Sequence, residues 1–150
     1  MLLRLMSKEK EIKRKDYKIF YPISTRWMDN DIYGHINNVT YYSYFDTAAN
    51  KYLIENTDLD IHNSPIVGYV VNSSCNYVSG LSFPDEIEIG LRVEKIGNSS
   101  VTYAIGIFKK GAEKVSAFGV FIHVFVNRKE NKPVSIPKSI LIALEKIKIQ

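Results

Sequence analysis

One stretch of this chain, Val39 to Asn56, repeats its apolar residues at helical spacing, while nearly every other patterned stretch repeats them at two. Tyr41, Phe45, Ala48 and Tyr52, together with Tyr42, Ala49 and Leu53, recur three, four and seven apart and make one wide apolar stripe. Thr40, Ser43, Thr47, Asn50 and Lys51 fall off it. Asn37 or Asn38 suits the N-cap, because a short amide side chain can accept a hydrogen bond from the first free helical N–H groups. A long helix with a single apolar stripe must cover it with another layer, and here strands have to supply that layer.

Before the helix, Tyr17 to Trp27 reads as a strand: Tyr17, Ile19, Tyr21 and Ile23 alternate with Lys18, Phe20, Pro22 and Ser24. Pro22 lacks an N–H for a ladder, which assigns the strand to an edge or a bulge. Asn56 to Pro65 reads as an irregular connection, and Ile66 to Val78 as the next strand. Ile87, Ile89, Leu91 and Val93 then alternate with Glu86, Glu88, Gly90 and Arg92, the cleanest strand signal of the chain. Val101, Tyr103, Ile105 and Ile107 continue after a hairpin turn at Gly97-Asn98-Ser99. Lys109 to Glu113 holds Gly111 and reads as a turn. Lys114 to Val126 is nearly continuously apolar, as a strand in the middle of a sheet would be. Pro137 to Ile149 reads as a short helix with Pro137 in its first turn. The order predicts an α+β fold. A long helix packs on a five-stranded antiparallel sheet whose last four strands form a meander, and a short C-terminal helix follows.

A chain of 150 residues suits one domain with a real core. The division expected is a basic N-terminal extension, residues 1–16, and a single domain, residues 17–150. Arg4, Lys8, Lys10, Lys13, Arg14 and Lys15 carry much of the net charge of +4 and read most simply as a solvated tail. No basic-aromatic platform accompanies them, which argues against nucleic acid. A mildly basic protein also suits a phosphate-bearing anionic substrate. The single cysteine, Cys75, cannot form a disulfide within the chain and points to a reducing compartment. The apolar run Met1 to Met6 is far too short for a signal peptide or a membrane span, so a cytoplasmic location is expected.

Chemistry concentrates in Asp29 to Asn38, where two acids, a glycine, a histidine and asparagines precede the helix. Asp31 has the strongest case for a working group. A carboxylate can attack an acyl carbon or take a proton from water. It also stands just upstream of a helix start, whose unpaired N–H groups can hold an oxyanion. Read alone, it serves equally well as a turn residue. Asp29 suits a loop-supporting role and Gly34 a tight turn. His35 could donate to a carbonyl, help activate water, or be structural. Asn37 and Asn38 are caps whose backbone amides matter more than their side chains. Tyr41 suits the core, with its hydroxyl tethered. His35, His62 and His123 lack ligand spacing, so no metal site is expected. There is no phosphate-binding glycine loop and no G-x-S-x-G elbow.

The segment R-W-M-D-N-D-I-Y-G-H-I-N-N-V-T-Y, Arg26 to Tyr41, resembles the signature of hotdog-fold acyl-CoA thioesterases of the 4-hydroxybenzoyl-CoA thioesterase-like group. The order of one strand, loop, long helix and four strands extends the resemblance over roughly Tyr17 to Asn127. It implies the hotdog fold and hydrolysis of an acyl-CoA to free acid and coenzyme A, with no cofactor. Asp31 would be the nucleophile or general base. Amides at the helix start, near Asn38 with Asn37 and Val39 beside it, would polarise the thioester carbonyl. Gly34, His35, Asn37 and Asn38 would form and position that site, supported by Asp29 and Tyr41. The resemblance further implies a homodimer at least, commonly a tetramer, with sites at the subunit interface. Lys95, Asn98, Ser99 and Arg128 are candidates for holding the nucleotide of CoA.

The segment is also similar to that of plant-type acyl-carrier-protein thioesterases, but Tyr33 stands where that group has an asparagine. Hydrolysis of an acyl group on acyl carrier protein is therefore the first alternative, and a non-catalytic acyl-thioester-binding protein the second. A hotdog dehydratase fits less well. Asp46, in the predicted helix, lies one residue too far along to replace Asp31.

Overall fold

The computed structural model describes residues 11–150. The elements are β1 (Ile19–Ser24), α1 (Thr40–Asn56), β2 (Ile66–Tyr77), β3 (Glu86–Ile96), β4 (Ser100–Lys109), β5 (Ala117–Asn127), β6 (Lys132–Pro133) and α2 (Lys138–Lys146). All neighbours in the sheet are antiparallel, in the order β1-β3-β4-β5-β2, with the two-residue β6 added beside β5. A long helix thus lies against a curled antiparallel sheet, as expected, with β6 as an extra.

The apolar stripe of α1 became the core. Tyr41, Tyr44, Phe45, Ala48, Ala49, Tyr52 and Leu53 are all buried. They meet the alternate residues of the sheet: Ile87, Ile89, Leu91 and Val93 from β3, Val101, Tyr103, Ile105 and Ile107 from β4, and Phe121 and Phe125 from β5. The period of two in each strand puts one set on this face and the other set outside. Gly119 sits between the β2 backbone and a ring from the helix. A Cβ there would overlap the Ser74 carbonyl oxygen and press on the Phe45 ring.

Two expectations need correction. The last four strands are not a meander. β3, β4 and β5 are, but β2 pairs with β5 and not with β3. The Val78 to Asp85 connection is occupied elsewhere. The amides of Val78 and Ser79 donate to Ser116, and Leu81 and Phe83 bind the loop before α1. Alternation along a strand reports its faces but not which strand lies beside it. The first strand is also shorter, and Tyr17 does not share the face of Ile19, Tyr21 and Ile23. Tyr17 packs with Phe20, Phe108 and Val115 in a second cluster, because the chain bends at Lys18 before the ladder begins. Pro22 does lie on an edge strand, paired with Glu88.

Residues 11–16 of the basic extension lie on the sheet. Arg14 reaches Glu88 at 3.1 Å and stacks over Phe20 and Phe108. Arg4, Lys8 and Lys10 lie outside the described residues. Among the described residues, no helix is long and apolar enough to cross a membrane.

Candidate active site

Asp29 to Asn38 forms a closed loop between β1 and α1. Its neck is an antiparallel bridge between Asn30 and Ile36, tightened by the Asn37 amide donating to the Asp29 carbonyl at 2.9 Å. At its tip the Asp31 amide donates to the His35 carbonyl and the Gly34 amide returns to the Asp31 carbonyl. Gly34 has φ +81°, a left-handed value that explains the glycine at this turn. The β2–β3 connection pins the loop from outside. Leu81 O accepts the Ile36 amide at 2.7 Å, and Asn30 Oδ1 accepts the Phe83 amide at 3.0 Å.

Asp29 is the loop's anchor. It is 3% exposed, and its carboxylate accepts the Arg26 amide, the Arg26 guanidinium and the Tyr44 hydroxyl. Burial alone would raise its pKa. The Arg26 amide, Tyr44 and the Arg26 charge outweigh burial and hold the carboxyl below its ordinary value. The same contact, after burial, raises the Tyr44 phenol.

Asp31 is half-buried. Its Oδ1 accepts the Tyr33 amide at 2.9 Å and, more distantly, the His35 amide at 3.5 Å. Its Oδ2 has no hydrogen-bond partner among the described residues. The side chain is therefore oriented by one oxygen and open at the other.

The start of α1 has a matching opening. The cap position is Val39, not Asn37 or Asn38 as expected, and its side chain makes no cap hydrogen bond. Asn37 instead braces the turn before it, with Oδ1 accepting the Val39 amide at 3.2 Å and its carbonyl accepting the Thr40 amide. With the Asn37 amide bound to Asp29, the Asn38 N–H is the one amide of residues 37–40 without a partner among the described residues. Asn38 is exposed. His35 is also exposed, and its ring packs against Gly80. Tyr41 is buried, edge-on to Tyr44 and Tyr77.

The CoA-binding candidates lie elsewhere in the single chain. Lys95, Asn98 and Ser99 are at the β3–β4 hairpin, at the far end of β3 from the Asp85 that Thr25 binds. β3 spans roughly 30 Å. Asn98 and Ser99 are used in packing: Asn98 O accepts the Ile136 amide and Ser99 O the Phe125 amide. The Arg128 guanidinium holds the carbonyls of Ile61 and His62. A cavity of about 200 Å³ between Leu59, Pro65, Ile66 and Ile140 lies near the C-terminal end of α1, away from the loop. Among the described residues no cluster of His, Cys, Asp or Glu side chains could hold a metal ion.

Sequence reasoning missed Arg26, Asn30, Tyr44 and Tyr77, all of which contact the loop or the helix start. Tyr44 belongs to the buried face of α1, and only its hydroxyl distinguishes it. Tyr77 is distant in sequence and carried no signal.

A carboxylate loop leading into a long helix on a curled antiparallel sheet defines a protein of the hotdog class. The chain belongs to the thioesterase-like superfamily, whose profile matches residues 25–144, and it is a thioester hydrolase by that membership. Among solved structures it is similar to the PA5185 protein of Pseudomonas aeruginosa, at 51% identity and TM-score 0.91, covering 93% of this chain and 97% of that one. It is also similar to a predicted thioesterase from Bacillus stearothermophilus, at 26% identity and TM-score 0.76, covering 87% and 96%. It shares its fold with a 1,4-dihydroxy-2-naphthoyl-CoA thioesterase from Synechocystis, at 16% identity and TM-score 0.76, covering 83% and 93%.

Proposed function

We propose that this protein hydrolyses acyl-CoA thioesters with Asp31 as the working carboxylate. The observation that carries the reading is the pairing, in one loop, of a carboxylate with a free oxygen and a helix start with a free amide at Asn38. Acting as base, Asp31 takes a proton from water as the water oxygen bonds to the thioester carbon. Acting as nucleophile, its oxygen makes that bond and water cleaves the resulting anhydride. In either case the carbonyl oxygen becomes an oxyanion held by the Asn38 N–H. The C–S bond then breaks. In the base route the proton taken up by Asp31 passes to the sulfur, and in the nucleophile route the thiolate leaves and takes its proton from solvent water, giving the thiol of coenzyme A. The name of the Synechocystis structure supports CoA as the carrier.

The site is completed by a second copy. β2 is a twelve-residue edge strand with one side unpaired among the described residues, and Tyr69, Val70 and Val71 are exposed along it. Such an edge is a template for pairing with another chain. Around Asp31, Trp27, Met28, Ile32, Tyr33 and Val39 are exposed too, between 62% and 93%. Contiguous apolar exposure of this kind marks an association surface. A nucleotide-binding role for Lys95, Asn98 and Ser99 requires the partner to bring its own hairpin to this loop.

Free thiol release from acyl-CoAs of short, medium, long and aromatic acyl groups tests the reading. Wild type should turn over at least one ester, and Asp31→Asn should lower kcat about a hundredfold or more. Turnover that survives Asp31→Asn would sink the mechanism. No turnover of any CoA ester, with activity on acyl carrier protein, would reassign the substrate.

A further inference from the structure

We propose that Tyr77 is a positioning residue for the oxyanion donor, fixing the exposed start of α1 so that the Asn38 N–H points outward before substrate arrives. The inference rests on the thioesterase reading above and deepens it.

Tyr77 is the last residue of β2, on the helix-facing side of the sheet. Its hydroxyl donates to the Asn38 carbonyl oxygen at 2.8 Å. Its ring meets Tyr41 edge-on, centroids 5.0 Å apart at 89°, and Tyr41 is itself 3% exposed. The hydroxyl is thus held by a ring packed on a buried ring. Tyr77 is itself 43% exposed, and partial desolvation raises its phenol above the ordinary tyrosine value, so the hydroxyl remains a donor.

The contact matters because of what else holds Asn38. The residue is exposed, and so is Val39. The first turn of a helix has no intrahelical partner for its N–H groups and frays readily. Asn37 bonds the amides of Val39 and Thr40, which fixes their direction. Asn38 itself has one hydrogen bond among the described residues, the one from Tyr77. The Asn38 N–H belongs to the Asn37–Asn38 peptide unit, whose carbonyl accepts the Thr40 amide, and the Tyr77 bond holds the next unit, Asn38–Val39. Both units flanking the Asn38 Cα are therefore tied, and the turn that carries the open N–H is held in place. A donor aimed in advance stabilises an oxyanion without reorganisation during the reaction. The effect belongs to the transition state and should appear in kcat.

Tyr77→Phe keeps the ring on Tyr41 and deletes only the hydroxyl. Steady-state kinetics on the best acyl-CoA, beside wild type and Asp31→Asn, should give a kcat about tenfold lower with KM within twofold. Amide hydrogen exchange should be faster over residues 37–40, with the rest of α1 unchanged. A wild-type kcat in Tyr77→Phe overturns the proposal and leaves the thioesterase reading standing. A raised KM at unchanged kcat, or a lower kcat with unaltered exchange at the helix start, also overturns it. Should wild type turn over no thioester, or Asp31→Asn remain active, the reading beneath fails and this inference falls with it.

Discussion

The two ends of α1 are built on opposite principles. At the C-terminal end, side chains close over the last turn of the helix and tie it to its neighbour. Thr57 N–H and Oγ1 donate to the Leu53 carbonyl, Asn56 Nδ2 donates to Tyr52 O, and the Tyr52 hydroxyl ties α1 to Ala143 of α2. At the N-terminal end Asn38 and Val39 are exposed, the Asn38 N–H is open, and the loop leading into the helix carries a carboxylate with one open oxygen. A helix end left unsatisfied costs stability unless something binds there. The closed end serves the fold, and the open end is where a substrate would complete the hydrogen bonding. The open end is still rigid, because Asp29, Asn37 and Tyr77 hold everything around the gap.

The comparison breaks most severely at Asp29. Asp29→Ala would leave the Tyr44 hydroxyl and the Arg26 guanidinium without their acceptor, and removing one partner of a buried charged network costs about 3 kcal/mol or more. Thermal denaturation should show the loss, and thioester turnover should fall with it because the loop loses its anchor. Acid should act through the same group. Its folded pKa lies below the ordinary 3.8, so its stabilisation is complete above that value and is lost as pH falls through the lower folded one.

Near the closed end lies a polar group of the opposite kind. His123 is fully buried among Tyr103, Phe121 and Phe125, and neither ring nitrogen has a partner among the described residues. Tyr52 approaches the same Tyr103. Burial pushes the imidazole pKa down from 6.5 to about 4. The fold requires neutral His123, while the unfolded chain takes up a proton near 6.5. Stability from this source is therefore complete above 6.5 and declines as pH falls toward 4, by about 3 kcal/mol in total. His123→Leu should abolish that part of the pH dependence, measured by denaturant unfolding at pH 7 and pH 4.5. It should also raise stability at neutral pH by about 1 kcal/mol, since two unsatisfied polar atoms leave the core.

The smallest effect sharpens the contrast. Tyr52→Phe removes the hydroxyl that joins α1 to α2 and should cost about 1 kcal/mol of unfolding free energy. It should leave kcat within twofold, where Tyr77→Phe at the other end should lower kcat tenfold at little cost in stability. Equal effects of the two variants on kcat would erase the distinction between the ends.

Much of this was legible in advance. The bounds of α1 follow from the spacing of Tyr41, Phe45, Ala48 and Tyr52, and the faces of β3 and β4 from strict alternation. Asp29 as an anchor and Gly34 as a turn also follow, because side-chain chemistry and backbone freedom are local properties. The pairing of β2 with β5 was not legible. Period two reports the faces of a strand and is silent about its neighbour. Nor was Tyr44 readable as a partner of Asp29, since a tyrosine on a buried stripe looks like packing until its hydroxyl is placed.

The sequence by itself determined one long helix, its layer of strands, and the loop in which a carboxylate precedes a helix start. These depend on periodicity and on neighbours within a few residues. Only the tertiary structure decided which amide stays open and which oxygen of Asp31 is unused. It also decided that Tyr77, 39 residues beyond Asn38 in the chain, holds the turn between them. Hydrogen bonds between distant segments depend on how strands are ordered in the sheet, and that order is settled by the packing of the whole chain.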